Sequence, residues 1–167
     1  MKYLIVIPTA ITSLRIAFLP LFFFLFNEGN ATSCLLLFAF CVATDSVDGY
    51  LARKLNVTSK FGAYYDATTD FSFVIGIFAI FYVSGLYPVW LLLLIIAAFG
   101  QFLVTSHYAK KIYDPVGRYL GSALYIGIAL TLISPVQAMF SFVQFAFMGF
   151  FLLSLTSRII SLTRKNV

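Results

Sequence analysis

Polar positions along this chain do not recur at a helical or strand period; they punctuate long apolar runs. Six such runs can be drawn, over 8–26, 34–53, 62–84, 88–108, 117–133 and 136–158. Each is continuous and close to the length that crosses a hydrocarbon core as a helix, roughly 17–25 residues. A lipid-facing barrel would alternate over short segments instead. The connections "NEGNATS", "KLNVTSKF", "GLY", "AKKIYDPV" and "SP" are short, so successive helices are expected to be antiparallel neighbours. The predicted fold is all-α and integral to the membrane: six transmembrane helices in one bundle, short loops and an N-terminal interfacial segment, forming a single domain over 1–167. The opening stretch "MKYLIVIPTAITSLRIAFLPLFFFLF" has the basic start of a signal peptide. Arg15 interrupts it, no small-residue cleavage site follows cleanly, and the apolar run goes on to Phe26, so it reads as a retained first helix.

Composition strengthens this reading. The chain is 62% hydrophobic and only 10% charged, which leaves too little polar surface for a soluble domain of this size. With six spans, all the basic residues fall on one side of the membrane: Lys2, Arg15, Arg53, Lys54, Lys60, Lys110, Lys111, Arg118, Arg158, Arg164 and Lys165. The positive-inside rule then puts both termini and the loops around 53–61 and 108–118 in the cytoplasm, in the cell membrane. The net charge of +5 is thereby a matter of topology and anionic lipid, and no nucleic-acid partner is expected. Cys34 and Cys41 read as small packing residues, and His107 as an interfacial polar group. Asn30-Ala31-Thr32 fits a glycosylation sequon but hugs the membrane. No GxxxxGK[ST], GxGxxG or HExxH occurs, so any nucleotide is held by other means.

Charge of the other sign is concentrated. Four of the six acidic residues lie within "DSVDGYLARKLNVTSKFGAYYDATTD", from Asp45 to Asp70. Asp45 and Asp48 are spaced i, i+3 near the end of the second helix; Asp66 and Asp70 are spaced i, i+4 in the first turns of the third. Each pair shares a helix face, and an eight-residue link allows the two faces to meet. An ionised carboxylate in such a helix costs about 2–3 kcal/mol on insertion scales, and four repel one another. Arg53 alone cannot neutralise them, whereas one or two divalent cations can. Oxygen ligands without His or Cys point to a hard metal, Mg²⁺, Mn²⁺ or Ca²⁺. A charge network that only locks two helices together is the plainer reading, and a costly way to pack them. Gly49, Ala52 and Gly62 keep these faces open to a bulky ligand or to tight helix packing. Arg53 could take a phosphate. Metals, an arginine and an open glycine face suit a pyrophosphate.

These residues resemble the signature of the CDP-alcohol phosphotransferase family, D-x2-D-G-x2-A-R, eight residues, then G-x3-D-x3-D. Asp45, Asp48, Gly49, Ala52, Arg53, Gly62, Asp66 and Asp70 fill all eight fixed places. "IPTAITSLRI" is similar to the P-N-x-x-T-x-x-R lead into the first helix of many members; Pro8, Thr12 and Arg15 match, and Thr9 stands where Asn is common. In "GRYLGS", Gly117 and Arg118 resemble the start of a G-K-x-K-T stretch of the phosphatidylglycerophosphate synthase branch, while Leu120 and Gly121 depart from it. The resemblance implies an enzyme: a divalent-metal-dependent transferase of phospholipid biosynthesis that moves a phosphatidyl group from a CDP-linked lipid, of the CDP-diacylglycerol type, to a small alcohol and releases CMP. It implies Asp45, Asp48, Asp66 and Asp70 as the site of Mg²⁺ or Mn²⁺, two ions, with Asp70 as general base. It implies a CDP site of Asp45, Asp48, Gly49, Arg53 and Gly62, and a homodimer.

The acceptor is expected at Arg118, Lys110 and Lys111 on the next cytoplasmic loop, where a phosphorylated alcohol would be matched; Asp114 lies among them. Glycerol 3-phosphate is the first choice. Inositol phosphate, serine or the CDP-aminoalcohol variant of the chemistry are the alternatives. Outside enzymes, carboxylates in a membrane suit a cation pathway, but all four lie at one face with no acid at mid-bilayer. A non-catalytic protein that binds nucleotide lipid is the remaining alternative, and it would usually have lost a ligand or the base.

Overall fold

The computed structural model describes the backbone over residues 15–54, 60–108 and 117–163, and side chains over 15–44, 65, 67–101 and 119–156. Among the described residues there are six α-helices and no strand: α1 Leu19–Asn27, α2 Ala31–Lys54, α3 Lys60–Val83, α4 Val89–Tyr108, α5 Gly117–Ile133 and α6 Gln137–Thr163. Five start within three residues of the apolar runs drawn from the sequence. The first run differs: residues 15–17 are helical, the chain turns at Phe18, and α1 begins at Leu19 with Pro20 in its first turn. Pro20 has no N–H to bond back across that turn, which favours a break at Phe18; residues 8–14 of the run lie outside the described residues.

Helix ends follow local chemistry. Beyond α1, Gly29 takes φ +73°. Its N–H bonds the Phe26 carbonyl at 3.0 Å, and the Asn30 N–H bonds the Leu25 carbonyl at 3.1 Å. This is a Schellman closure, and only glycine enters its left-handed position without strain. Gly85, φ +76°, closes α3 the same way, with Gly85 N–H on Tyr82 O and Leu86 N–H on Phe81 O, both at 2.9 Å. Asn30 then caps α2, its side-chain oxygen accepting from the Ser33 N–H at 3.1 Å. The sequon at Asn30 thus has a structural use.

The chain forms two compact units, the first ending at Ile80 and the second beginning at Phe81, within α3. In the first unit three helices run up, down and up. Phe18 meets Phe40 edge-on at 6.1 Å, and the Cys34 thiol lies 3.9 Å from the Phe22 carbonyl. Those contacts run in opposite senses along α1 and α2. Phe38 stacks on Phe73 at 6.4 Å and joins α2 to α3. Leu19 lies so close to α3 that a Cβ at Gly76 would stand 2.5 Å from its Cδ1.

In the second unit Tyr87, buried in the α3–α4 connection, packs on Phe81 and Phe140 and bonds the Thr131 hydroxyl at 2.6 Å. Thr131 gives its one proton to the Gly127 carbonyl at 2.7 Å, so Tyr87 is the donor in the pair. Burial raises the Tyr87 phenol above its ordinary range. Helices α5 and α6 approach closely where Gly127 faces Phe147 and Val143.

The outside is apolar. Val83, Leu36 and Phe145 are 71%, 67% and 67% exposed, and Phe24, Leu93, Ile126, Phe142 and Leu153 are exposed beside their own helices' polar-poor neighbours. Greasy faces on every described helix are what a lipid solvent requires. Gln137–Thr156 in α6 is long and apolar enough to cross a membrane by itself; the described apolar parts of the others are shorter. The protein is an all-helical membrane protein.

Candidate active site

The site must be built on α2 and α3, because these carry the acidic window. Asp45, Asp48, Gly49, Ala52 and Arg53 fall on α2, and Gly62, Asp66 and Asp70 on α3. Helical backbone through both stretches keeps Asp45 with Asp48, and Asp66 with Asp70, on one face each. The Phe38–Phe73 stack fixes how far along each other the two helices lie. The side chains of Asp45, Asp48, Arg53 and Asp66 lie outside the described residues, as do Lys110, Lys111 and Asp114. Arg118 begins α5, its side chain also outside the description.

Asp70 is the acid whose surroundings are described. Its side chain is about a quarter exposed and accepts a hydrogen bond from Arg15 Nη1, which also forms an ion pair. Arg15 is 1% exposed. The hydroxyls nearby are turned to the backbone. Thr69 donates to Tyr65 O, Ser72 to Thr68 O and Thr44 to Cys41 O, all at 2.8 Å. In a low-dielectric setting such internal bonds satisfy the hydroxyls without engaging the carboxylate.

Sequence reasoning gave Arg15 a topological charge and a place in a leading motif, but no partner. A signal was present, since a lone arginine in an apolar run is by default a functional residue. Its partner is 55 residues away, and no spacing rule reaches that far.

Among the described residues no three His, Cys, Asp or Glu side chains gather as metal ligands; three of the four expected ligands are outside that set. The donor chemistry fits a divalent cation nonetheless. All candidate ligands are carboxylates, and Asp70 is partly open rather than sealed in the core. Asp45, Asp48, Asp66 and Asp70 would hold the metal.

Comparison with known proteins identifies a family. A profile described as CDP-alcohol phosphatidyltransferase matches residues 5–160. Three curated relatives carry the name CDP-diacylglycerol–glycerol-3-phosphate 3-phosphatidyltransferase. The protein of Pseudomonas fluorescens is 34% identical over 103 residues, 60% of this chain and 52% of its own. That of Yersinia enterocolitica is 37% identical over 87 residues, 50% of this chain and 47% of its own. That of Pectobacterium atrosepticum is 40% identical over 67 residues, 38% of this chain and 37% of its own. The matched stretches span about half or less of these relatives' length.

Proposed function

This chain belongs to the CDP-alcohol phosphatidyltransferase family, and from that premise we propose that it transfers a phosphatidyl group from a CDP-diacylglycerol-type lipid to glycerol 3-phosphate, releasing CMP. The observation that carries the reading is the complete acidic window, carried on two successive helices, α2 and α3. The names of the relatives supply the acceptor. The whole chain acts as one transmembrane domain of six spans, with both termini and the site on the cytoplasmic side, and as a homodimer.

Depth supports the placement. From Ala31 to Asp45 an α-helix rises about 21 Å, against a hydrocarbon thickness of about 30 Å. With Ala31 at the outer boundary, the carboxylates fall in the cytoplasmic half of the hydrocarbon, on the side from which a lipid-borne pyrophosphate and a water-soluble acceptor can both arrive. Asp45, Asp48, Gly49, Arg53 and Gly62 take the CDP moiety. The glycines let it approach the backbone, and Arg53 matches a phosphate oxygen pair. Lys110, Lys111 and Arg118 take the acceptor's phosphate.

Two Mg²⁺ or Mn²⁺ ions, when bound, supply charge stabilisation at the pyrophosphate and its leaving oxygen. Asp70 accepts the acceptor's hydroxyl proton as that oxygen bonds to the phosphorus of the phosphatidyl group. The bond from that phosphorus to the CMP oxygen breaks, and the electron pair leaves with CMP. The phosphatidyl phosphorus keeps its other substituents, so lipid product and CMP form one to one.

The test is CMP release by the purified protein with CDP-diacylglycerol and each of glycerol 3-phosphate, inositol phosphate, serine and inositol. Metal-dependent release with glycerol 3-phosphate is expected. Asp70→Asn should lower kcat by about 100-fold or more, within the range for losing a positioned base. Release only with another acceptor would reassign the substrate. Silence with every acceptor would remove the transferase reading.

A further inference from the structure

Arg15 is almost fully buried, sits 55 residues before its partner in sequence, and donates a hydrogen bond to the carboxylate of Asp70. We propose that Arg15 is a positioning residue: it fixes the plane of the Asp70 carboxylate and so aims its remaining lone pairs at the proton and the cation that Asp70 serves. This inference rests on the transferase reading for its kinetic part and stands apart from it for its metal-binding part.

The segment that carries Arg15 is held at several points. Phe18 meets Phe40 of α2, and Leu19 lies on the α3 backbone at Gly76. Arg15 to Leu19 and Asp70 to Gly76 advance in the same sense, so the segment runs alongside α3. A side chain held by that many anchors cannot follow Asp70 if it rotates; it restrains the rotation. A carboxylate on an unrestrained side chain turns about two bonds. The charge-assisted bond from Arg15 Nη1 to one Asp70 oxygen restrains that rotation. Positional precision matters here because a misplacement of about 1 Å at a reacting group costs on the order of 100-fold in rate.

The metal makes the proposal sharp. A guanidinium beside a cation site repels the cation, so by Coulomb's law its removal alone would tighten metal binding. If Arg15 aims a ligand, its removal weakens binding in spite of that.

Arg15→Gln, Arg15→Lys, Asp70→Asn and Arg15→Gln/Asp70→Asn would be purified and checked for helicity and a monodisperse elution. Mn²⁺ affinity would be read from the electron paramagnetic resonance signal of free Mn²⁺, and kcat and KM from CMP release. In Arg15→Gln we expect Mn²⁺ affinity down about 3-fold or more, kcat down about 10-fold or more, and KM for the CDP-lipid within about 3-fold. Arg15→Lys should lie between wild type and Arg15→Gln, since the charge and one donor remain. On the Asp70→Asn background, Arg15→Gln should no longer weaken Mn²⁺ binding, leaving it unchanged or tighter. Unchanged or tighter Mn²⁺ binding in Arg15→Gln, or an equal loss with and without Asp70, would overturn the proposal. If Arg15→Gln does not fold, the Arg15→Lys values decide: wild-type kcat and Mn²⁺ affinity there would overturn it. If the wild-type protein releases no CMP with any acceptor, the transferase reading fails, and the Mn²⁺ comparison still tests Arg15.

Discussion

At the scale of single residues, two buried polar groups show different logic. Arg15 and Asp70 place charge where lipid surrounds the protein, which is justified by what the pair does to its neighbours rather than by stability. Tyr87 and Thr131 form a relay of neutral groups that ends on a backbone carbonyl. The direction of that relay makes their loss unequal. Tyr87→Phe removes a donor and leaves Thr131 still bonded to Gly127, a cost of about 1 kcal/mol. Thr131→Val leaves the buried Tyr87 hydroxyl without its acceptor, at about 1–3 kcal/mol. Thermal unfolding in detergent should therefore rank Thr131→Val below Tyr87→Phe, and the reverse order would mean that Tyr87 accepts. Because the folded protein holds the Tyr87 proton more tightly than the unfolded chain does, its contribution is complete below the ordinary tyrosine range. It is lost as pH rises from about 10 through the raised folded value. Tyr87→Phe should show a smaller alkaline loss of stability than wild type. The acids were legible from spacing alone. Arg15's partner was not, since only the fold brings residues 15 and 70 together.

At the scale of elements, the sequence wrote the helix ends more clearly than the helix contacts. "NEGN" and "SGLY" carry the glycines that both Schellman closures need, and Asn30 stands where α2 needs a cap. Pro20 favours the break at Phe18 after which α1 starts at Leu19. The close approach of Leu19 to Gly76 has no local signature, because a glycine in an apolar run looks the same wherever it faces. It does yield a test. Alanine normally gains about 1 kcal/mol over glycine within a helix. Gly76→Ala should instead destabilise, by about 1–3 kcal/mol, since Leu19 must move. Adding Leu19→Ala should remove that penalty, leaving only the loss of the leucine itself. Independent, additive effects in the double variant would mean the two residues do not meet.

At the scale of the whole molecule, a chain without a polar face can be stable only where its solvent is lipid. The sequence made that plain from composition, and the exposed Val83, Leu36 and Phe145 agree with it. One helix, α6, passes the test for a membrane span over its described residues. With six spans, reporter tags at either terminus should both read cytoplasmic, and a tag in the 27–30 turn should read external. Opposite sides for the two termini would remove one span and scatter the basic residues across the membrane. The central claim is the reaction, and its most direct test is stoichiometry. Purified protein would be given CDP-diacylglycerol and labelled glycerol 3-phosphate, with EDTA and then with Mn²⁺ or Mg²⁺ restored. The account predicts label entering the lipid phase in a one-to-one ratio with CMP, absent in EDTA and recovered with metal. CMP released without label in lipid would show hydrolysis instead of transfer, and would contradict the account.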